Sequence, residues 1–358
     1  METIRTRSFA RAGLLGNPSD GYFGKTVSFT FTQFGVELVM SESSRIRFQQ
    51  GEVDDATFAS MDEMARNLRL YGYYGGIRLL KATAKRFFDH CQERGLALPK
   101  RNFSVEYKIN IPRLVGLSGS SAICSAMLKA LMKFYEVGIP LEIQPSICLE
   151  AERVELGITG GFQDRVIQIY NGLVFMDFDK SFVESHNYGR YERLSDETAN
   201  RLGLYIAYDA GRAEESGKAH KKVKRLFEQK NADVLAAMSE FADIAQQGRD
   251  LLVTPDLKPE TRNLKLATLI NANFDLRDRI FNVAEENRRM VMTARASGAS
   301  AKFAGSGGAI VGTYGDEEQF ERLKADLAAI GTVVLRPTIA TSADETAEIA
   351  GLGGWRNS

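Results

Sequence analysis

Cysteine and histidine are scarce. The cysteines Cys91, Cys124 and Cys148 are widely spaced, the histidines His90, His186 and His220 are scattered, and no Cys-x-x-Cys occurs. A disulfide framework and a structural zinc site are both excluded, and a reducing compartment is the default. An excess of charge is missing too, since Lys+Arg and Asp+Glu each total 46. A neutral chain offers no global field for nucleic acid or an anionic membrane, although a small anion needs only a local patch. No apolar run reaches the ~18 residues of a membrane span. Met1 to Arg11 carries charges without an apolar segment, so no signal peptide and a cytoplasmic protein are expected. The Walker loop is absent as well, because no lysine follows Gly119.

What is present is glycine, at the ends of elements. Phe103, Val105, Tyr107, Ile109 and Ile111 alternate as a strand, and Ile123, Met127, Ala130, Leu131 and Phe134 recur as a buried helix. Between them runs Pro112-Arg-Leu-Val-Gly116-Leu117-Ser118-Gly119-Ser120-Ser121-Ala122. Free N–H groups and the positive end of a helix dipole converge at such a junction, which suits a phosphate. A serine-capped helix after a flexible turn is the competing reading.

At 358 residues the chain is long for one core, and the polar stretch 181–200, expected to be a loop, places a junction between residues 1–195 and 196–358. A strand ending near Leu15 leads into Asn17-Pro-Ser19-Asp20-Gly-Tyr22, whose polar groups suit a polyol or a plain hairpin tip. Alternation across 27–40 changes phase near Thr32-Gln33, which predicts a bulge. Helices are expected at 61–70, 77–94 and 147–156, and the tyrosines and glycines of 71–76 suit a base or sugar wall or a packed helix start. Thr159-Gly-Gly-Phe-Gln-Asp164-Arg forms a second glycine turn, with Asp164 in the first turn of the next helix. The second half reads as helices packed on a few strands, an α+β unit, with helices over 218–229, 231–248, 260–282 and 284–297. A third glycine cluster, Lys302-Phe-Ala-Gly305-Ser306-Gly307-Gly308, precedes a strand at 309–313.

Three clusters in this order resemble the GHMP kinase superfamily. The first motif is matched loosely by Ala10 to Gly16, the second closely by Pro112 to Ala122, and the third by Lys302 to Gly308. Within the superfamily the chain is most similar to plant-type glucuronokinases, through Arg7-Ser-Phe-Ala-Arg, Leu15-Gly-Asn-Pro-Ser-Asp20, Tyr73-Tyr-Gly-Gly-Ile-Arg, Gln163-Asp-Arg-Val166 and Asn273-Phe-Asp-Leu-Arg277. The Asn-Pro-Ser-Asp turn departs from the Glu-His-Thr-Asp of galactokinases. The resemblance implies an N-terminal domain like ribosomal protein S5 domain 2 and a ferredoxin-like C-terminal domain. ATP and Mg2+ would lie near residues 116–121, and the acceptor would be a small sugar or sugar acid. It further implies Asp164 and Arg11 as catalytic residues, Pro112 and Gly116 to Ala122 at ATP, and Ser121 and Glu152 on the metal. Asn17, Ser19, Asp20, Tyr22, Gly305, Ser306 and Gly307 would meet the substrate. No nucleic acid or membrane partner is expected, and the assembly is a monomer or homodimer. For a C6 carboxylate the available cations are Arg113, Arg165, Lys25, Arg212 and Lys218, among which the sequence does not choose. A galactose- or arabinose-type kinase, a kinase of a non-sugar alcohol and an inactive ATP- and sugar-binding sensor remain alternatives.

Overall fold

A computed structural model describes residues 3–49, 76–209 and 217–346. The 61–70 helix, Tyr71 to Gly75, Arg212 and the 351–358 tail lie outside the described residues.

The first half is organised on one long strand. β2 (Lys25–Ser43) pairs antiparallel with β1 (Thr3–Leu15) along its length. On its other edge, Lys25 to Phe29 pair with β5 (Leu173–Asp177), and Val36 to Ser43 with β4 (Asn102–Ile109). The short β3 (Arg47–Phe48) and β6 (Arg190–Arg193) complete a six-stranded sheet. The change of phase near Thr32-Gln33 is a real irregularity: Phe9 lies opposite Gly35, but Ala10 lies opposite Phe31. The extra residues of β2 bend it there, so that one strand serves two partners.

Helices α1 (Gly76–Glu93), α2 (Gly119–Phe134), α3 (Gln144–Glu150) and α4 (Gln163–Tyr170) accompany this sheet. α2 is buried along most of its length, through Ala122, Ile123, Ala126, Met127, Ala130 and Leu131. Two expectations need correction. The predicted 147–156 helix is α3 followed by a π-helical turn, Ala151–Glu155. The 181–200 stretch is not a loop: it holds α5 (Lys180–His186), β6 and α6 (Asp196–Asn200). Asp179 and Ser195 cap the two helices through side-chain oxygens, and β6 gains its order by pairing with β5, so local polarity misled.

The second sheet begins with β7 (Leu204–Asp209). Four helices follow, α7 (Gly217–Glu228), α8 (Ala232–Val253), α9 (Pro259–Ile280) and α10 (Glu285–Ala296). Then come β8 (Lys302–Phe303), β9 (Ala309–Thr313), α11 (Glu317–Ala328), β10 (Thr332–Leu335) and α12 (Ser342–Thr346). The order β10-β7-β9-β8, antiparallel throughout, is the ferredoxin-like order 4-1-3-2. The fold class is α+β, as expected. Its own core gathers Tyr205, Phe274, Val291, Phe303, Ile310, Phe320 and Leu327. No helix among the described residues is long and apolar enough to cross a membrane.

Candidate active site

All three glycine clusters meet around one guanidinium. Arg11, on β1, is only 4% exposed. Its Nη1 donates to Gly116 O at 2.6 Å and to Ala304 O at 3.2 Å. Its backbone N–H donates to Leu117 O, and Gly13 N–H donates to Ala304 O. The second and third clusters also touch each other. A Cβ on Gly116 (φ +78°) would stand 2.7 Å from Gly307 O, and one on Gly305 would stand 2.2 Å from Gly116 O. Both positions must be glycine, because backbone packs on backbone there.

Arg11 presents its other edge to Asp164 as a fork, Nε to Oδ1 at 2.7 Å and Nη2 to Oδ2 at 2.9 Å. Ser118 Oγ donates to the same Oδ2 at 3.0 Å. Burial alone would raise the Asp164 pKa, but Arg11, then Arg165 and the Ser118 hydroxyl outweigh it and hold the carboxyl below its usual range. Gln168 ties the arrangement together, since its Nε2 donates to both Phe9 O and Ser118 O. Nothing in the sequence pattern pointed to Gln168.

Ser118 precedes α2 in the left-handed region (φ 65°, ψ 48°) and makes no side-chain cap. Its hydroxyl is engaged by Asp164, so the serine-capped alternative does not hold and the Ser118 side chain leaves the N–H groups of the first turn uncapped, a geometry that would suit an anion. Leu117 is a core side chain, so only its backbone faces this junction. Gly119 and Ser120 are partly exposed at the helix start, Pro112 precedes the loop, and Ala122 is buried in the first turn.

Below the helix start, Ser121 Oγ donates to Glu152 Oε2 at 3.0 Å. Glu152 is fully buried, and Arg165 donates to the same Oε2 through Nε at 2.6 Å and Nη2 at 2.5 Å. Glu152 Oε1 is buried without a hydrogen-bond partner among the described residues. The π turn places Glu152 there, and periodicity does not disclose such a turn. A hard cation accepts this chemistry, an unpaired carboxylate oxygen beside a hydroxyl. No group of three or more metal-ligating side chains occurs among the described residues, so phosphate oxygens and water would complete its shell.

The polar turn after β1 is a short 3₁₀ segment, Ser19–Tyr22, and it divides into two kinds of residue. Asn17 and Ser19 point inward, contrary to their expected contact with substrate. Asn17 Oδ1 accepts from Lys302 Nζ, and Ser19 Oγ donates to Lys25 O at 2.9 Å. Both side chains are buried and shape the turn. Asp20 is different. It accepts from Gln163 N at 3.1 Å and from Gln163 Nε2 at 3.4 Å, and no cation among the described residues pairs with it directly. Burial first and Asp164 second push its pKa up to about 6. Two neighbouring carboxylates are thus driven apart, Asp164 down and Asp20 up. A Cβ on Gly161 would fall 1.7 Å from Asp20 Oδ2, so the second glycine turn makes room for this carboxylate. Tyr22, half-buried against Phe227, completes the turn, and burial raises its pKa to about 12.

Known proteins resemble this chain in both sequence and shape. A family model, the GHMP kinases N-terminal domain, matches residues 78–172. Glucuronokinase 1 of Arabidopsis thaliana is 41% identical over 314 residues, covering 86% of this chain and 84% of that protein. Probable glucuronokinase 2 of the same plant is 43% identical over 312 residues, covering 85% and 82%. Among solved structures, Lactococcus lactis galactokinase complexed with galactose superposes with a TM-score of 0.74, at 14% identity and 94% coverage of each chain.

Proposed function

The chain belongs to the glucuronokinase family of GHMP kinases, and from that premise we propose that it transfers the γ-phosphoryl group of ATP to the anomeric hydroxyl of D-glucuronate, giving glucuronate 1-phosphate and ADP. The observation that carries the reading is the Arg11–Asp164 fork, fixed where the three glycine clusters meet and next to Asp20, which has no ion-pair partner among the described residues.

Phosphoryl transfer needs positioning and charge neutralisation more than covalent chemistry. The N–H groups at residues 116–121 receive the β- and γ-phosphates. Ser121 and Glu152 would hold Mg2+, which would neutralise charge on those phosphates. Asp20 accepts hydrogen bonds from sugar hydroxyls. Asp164 stays ionised at neutral pH, accepts the hydrogen bond of the anomeric hydroxyl, and takes its proton as the oxygen forms its bond to phosphorus. Arg11 fixes the orientation of Asp164 and offsets charge on the group in transfer. We place the boundary between the two lobes at residue 195, between β6 of the first sheet and β7 of the second.

ADP release with Mg-ATP across a panel of sugars and sugar acids tests the proposal. Turnover is expected with glucuronate and at most weakly with galactose or L-arabinose. Turnover with a neutral sugar alone refutes the substrate, and ATP binding without any turnover refutes the reaction in favour of a sensor.

A further inference from the structure

A sugar acid brings a carboxylate, and the cations suggested by sequence do not receive it. Arg165 is held by Glu152, and Lys25 by Gln246 and Asp177. Arg113 is exposed, and Arg212 and the side chain of Lys218 lie outside the described residues. The structure brings another cation into place. Arg277, on α9, is 3% exposed. Its Nη1 donates to Gly305 O at 2.9 Å and its Nη2 to Ser306 O at 3.0 Å. Among the described residues its buried Nε has no hydrogen-bond partner, and no carboxylate forms an ion pair with the guanidinium.

The titratable groups that act on Arg277 are Tyr22 and Asp20, both in the polar turn of the candidate sugar site, and of the two Asp20 carries the negative charge at neutral pH. A second buried basic side chain, Lys302, is matched among the described residues by neutral oxygens, those of Gly13, Asn17 and Phe303. Burial lowers the pKa of both, Arg277 to about 10 and Lys302 well below its usual range, and for Lys302 the charges of Arg277 and Arg11 add to the effect. Arg11 has Asp164 and Arg165 has Glu152, whereas Arg277 forms no such pair among the described residues and has only the field of Asp20 to offset its charge. A buried charge without a counter-ion is costly, and an anion placed beside it removes that cost.

We propose that Arg277 receives the C6 carboxylate of the sugar acid and sets the preference of this enzyme for uronic acids over neutral sugars. The assignment rests on the glucuronate reading above. Two of the five N–H groups of the guanidinium hold the Gly305–Ser306 loop, which leaves others to face a carboxylate. A neutral hydroxymethyl group at C6 would leave the cation uncompensated, so discrimination comes from the penalty on the wrong substrate as well as from the gain on the right one.

The test compares kcat/KM for glucuronate with that for glucuronamide, its uncharged isostere, in the wild type, Arg277→Gln and Arg277→Lys. A charge-assisted contact predicts a wild-type preference for glucuronate of about 10- to 100-fold. In Arg277→Gln that preference is expected to fall to about 3-fold or less through a higher KM for glucuronate, with KM for ATP nearly unchanged. Arg277→Lys keeps the charge without the fork, so it should retain part of the preference. An equal loss on both substrates in Arg277→Gln, with the ratio intact, means that the residue only braces the loop and overturns the assignment. A wild type that accepts neutral sugars and ignores glucuronate refutes the substrate reading, and the assignment falls with it. Should Arg277→Gln fail to fold, a crystal structure of the wild type with glucuronate decides. A carboxylate within hydrogen-bond distance of Arg277 supports the proposal, and one placed elsewhere overturns it.

Discussion

Replacing Asp20 with asparagine should make the protein more stable at neutral pH while impairing its work. Asp20 is 2% exposed, and its pKa rises from the ordinary 3.8 to about 6, by burial first and the charge of Asp164 second. Each pH unit of displacement is worth about 1.4 kcal/mol, so the ionised form costs the fold about 3 kcal/mol. Between the two pKa values the folded state holds a proton that the unfolded state has released. The stability from this group is therefore fully present below pH 3.8 and is lost as the pH rises through about 6. About 2 kcal/mol of that loss accrues between about pH 4.5 and 7.5. Asparagine mimics the protonated form at every pH. It places an amide against the Gln163 donors, and one weakened hydrogen bond costs about 1 kcal/mol. Asp20→Asn should thus be about 2 kcal/mol more stable than wild type near pH 7.5, and nearly equal to it near pH 4.5. Urea denaturation at several pH values measures this. A gap between variant and wild type that does not change with pH refutes the reasoning. Wild-type kcat/KM for the sugar should also fall below pH about 6, as protonated Asp20 loses acceptor capacity, and the variant should lack that limb.

Asp164→Asn should lower kcat by about 10³-fold or more while ATP affinity, read by calorimetry, changes little; near-normal turnover would remove Asp164 from the chemistry. It also leaves Arg11 buried without its anion, so a stability loss of about 3 kcal/mol should accompany it in chemical denaturation. Glu152→Gln should raise the Mg2+ concentration needed for half-maximal ADP release by about tenfold, and an unchanged Mg2+ titration would reduce Glu152 to the ion-pair partner of Arg165. Gly161→Ala inserts a Cβ 1.7 Å from Asp20 Oδ2, so the sugar KM should rise about tenfold or more with KM for ATP steady; an unaffected sugar KM would show that Asp20 does not face the sugar.

Much of the fold was legible because it depends on local periodicity. The alternation along Phe103 to Ile109, the helical recurrence from Ile123 to Phe134 and the change of phase near Thr32 each state which side faces the core. Where side chains override that logic, local reading failed. The 181–200 stretch is polar, yet capping by Asp179 and Ser195 and pairing with β5 order it. The π turn at Glu152 leaves no mark on an apolar pattern.

The sequence by itself determined the order of the glycine clusters, and glycine at residues 116 and 305 announces a close approach of backbone without saying to what. Only the tertiary structure decided that the two approach each other, with Arg11 spanning both and gripping Asp164. It also turned Asn17 and Ser19 inward and, among the described residues, left both Asp20 and Arg277 without an ion-pair partner. The reason is physical. A strand or helix follows from neighbours a few residues away, whereas the charge state of a buried group is set by whichever distant residues replace its water.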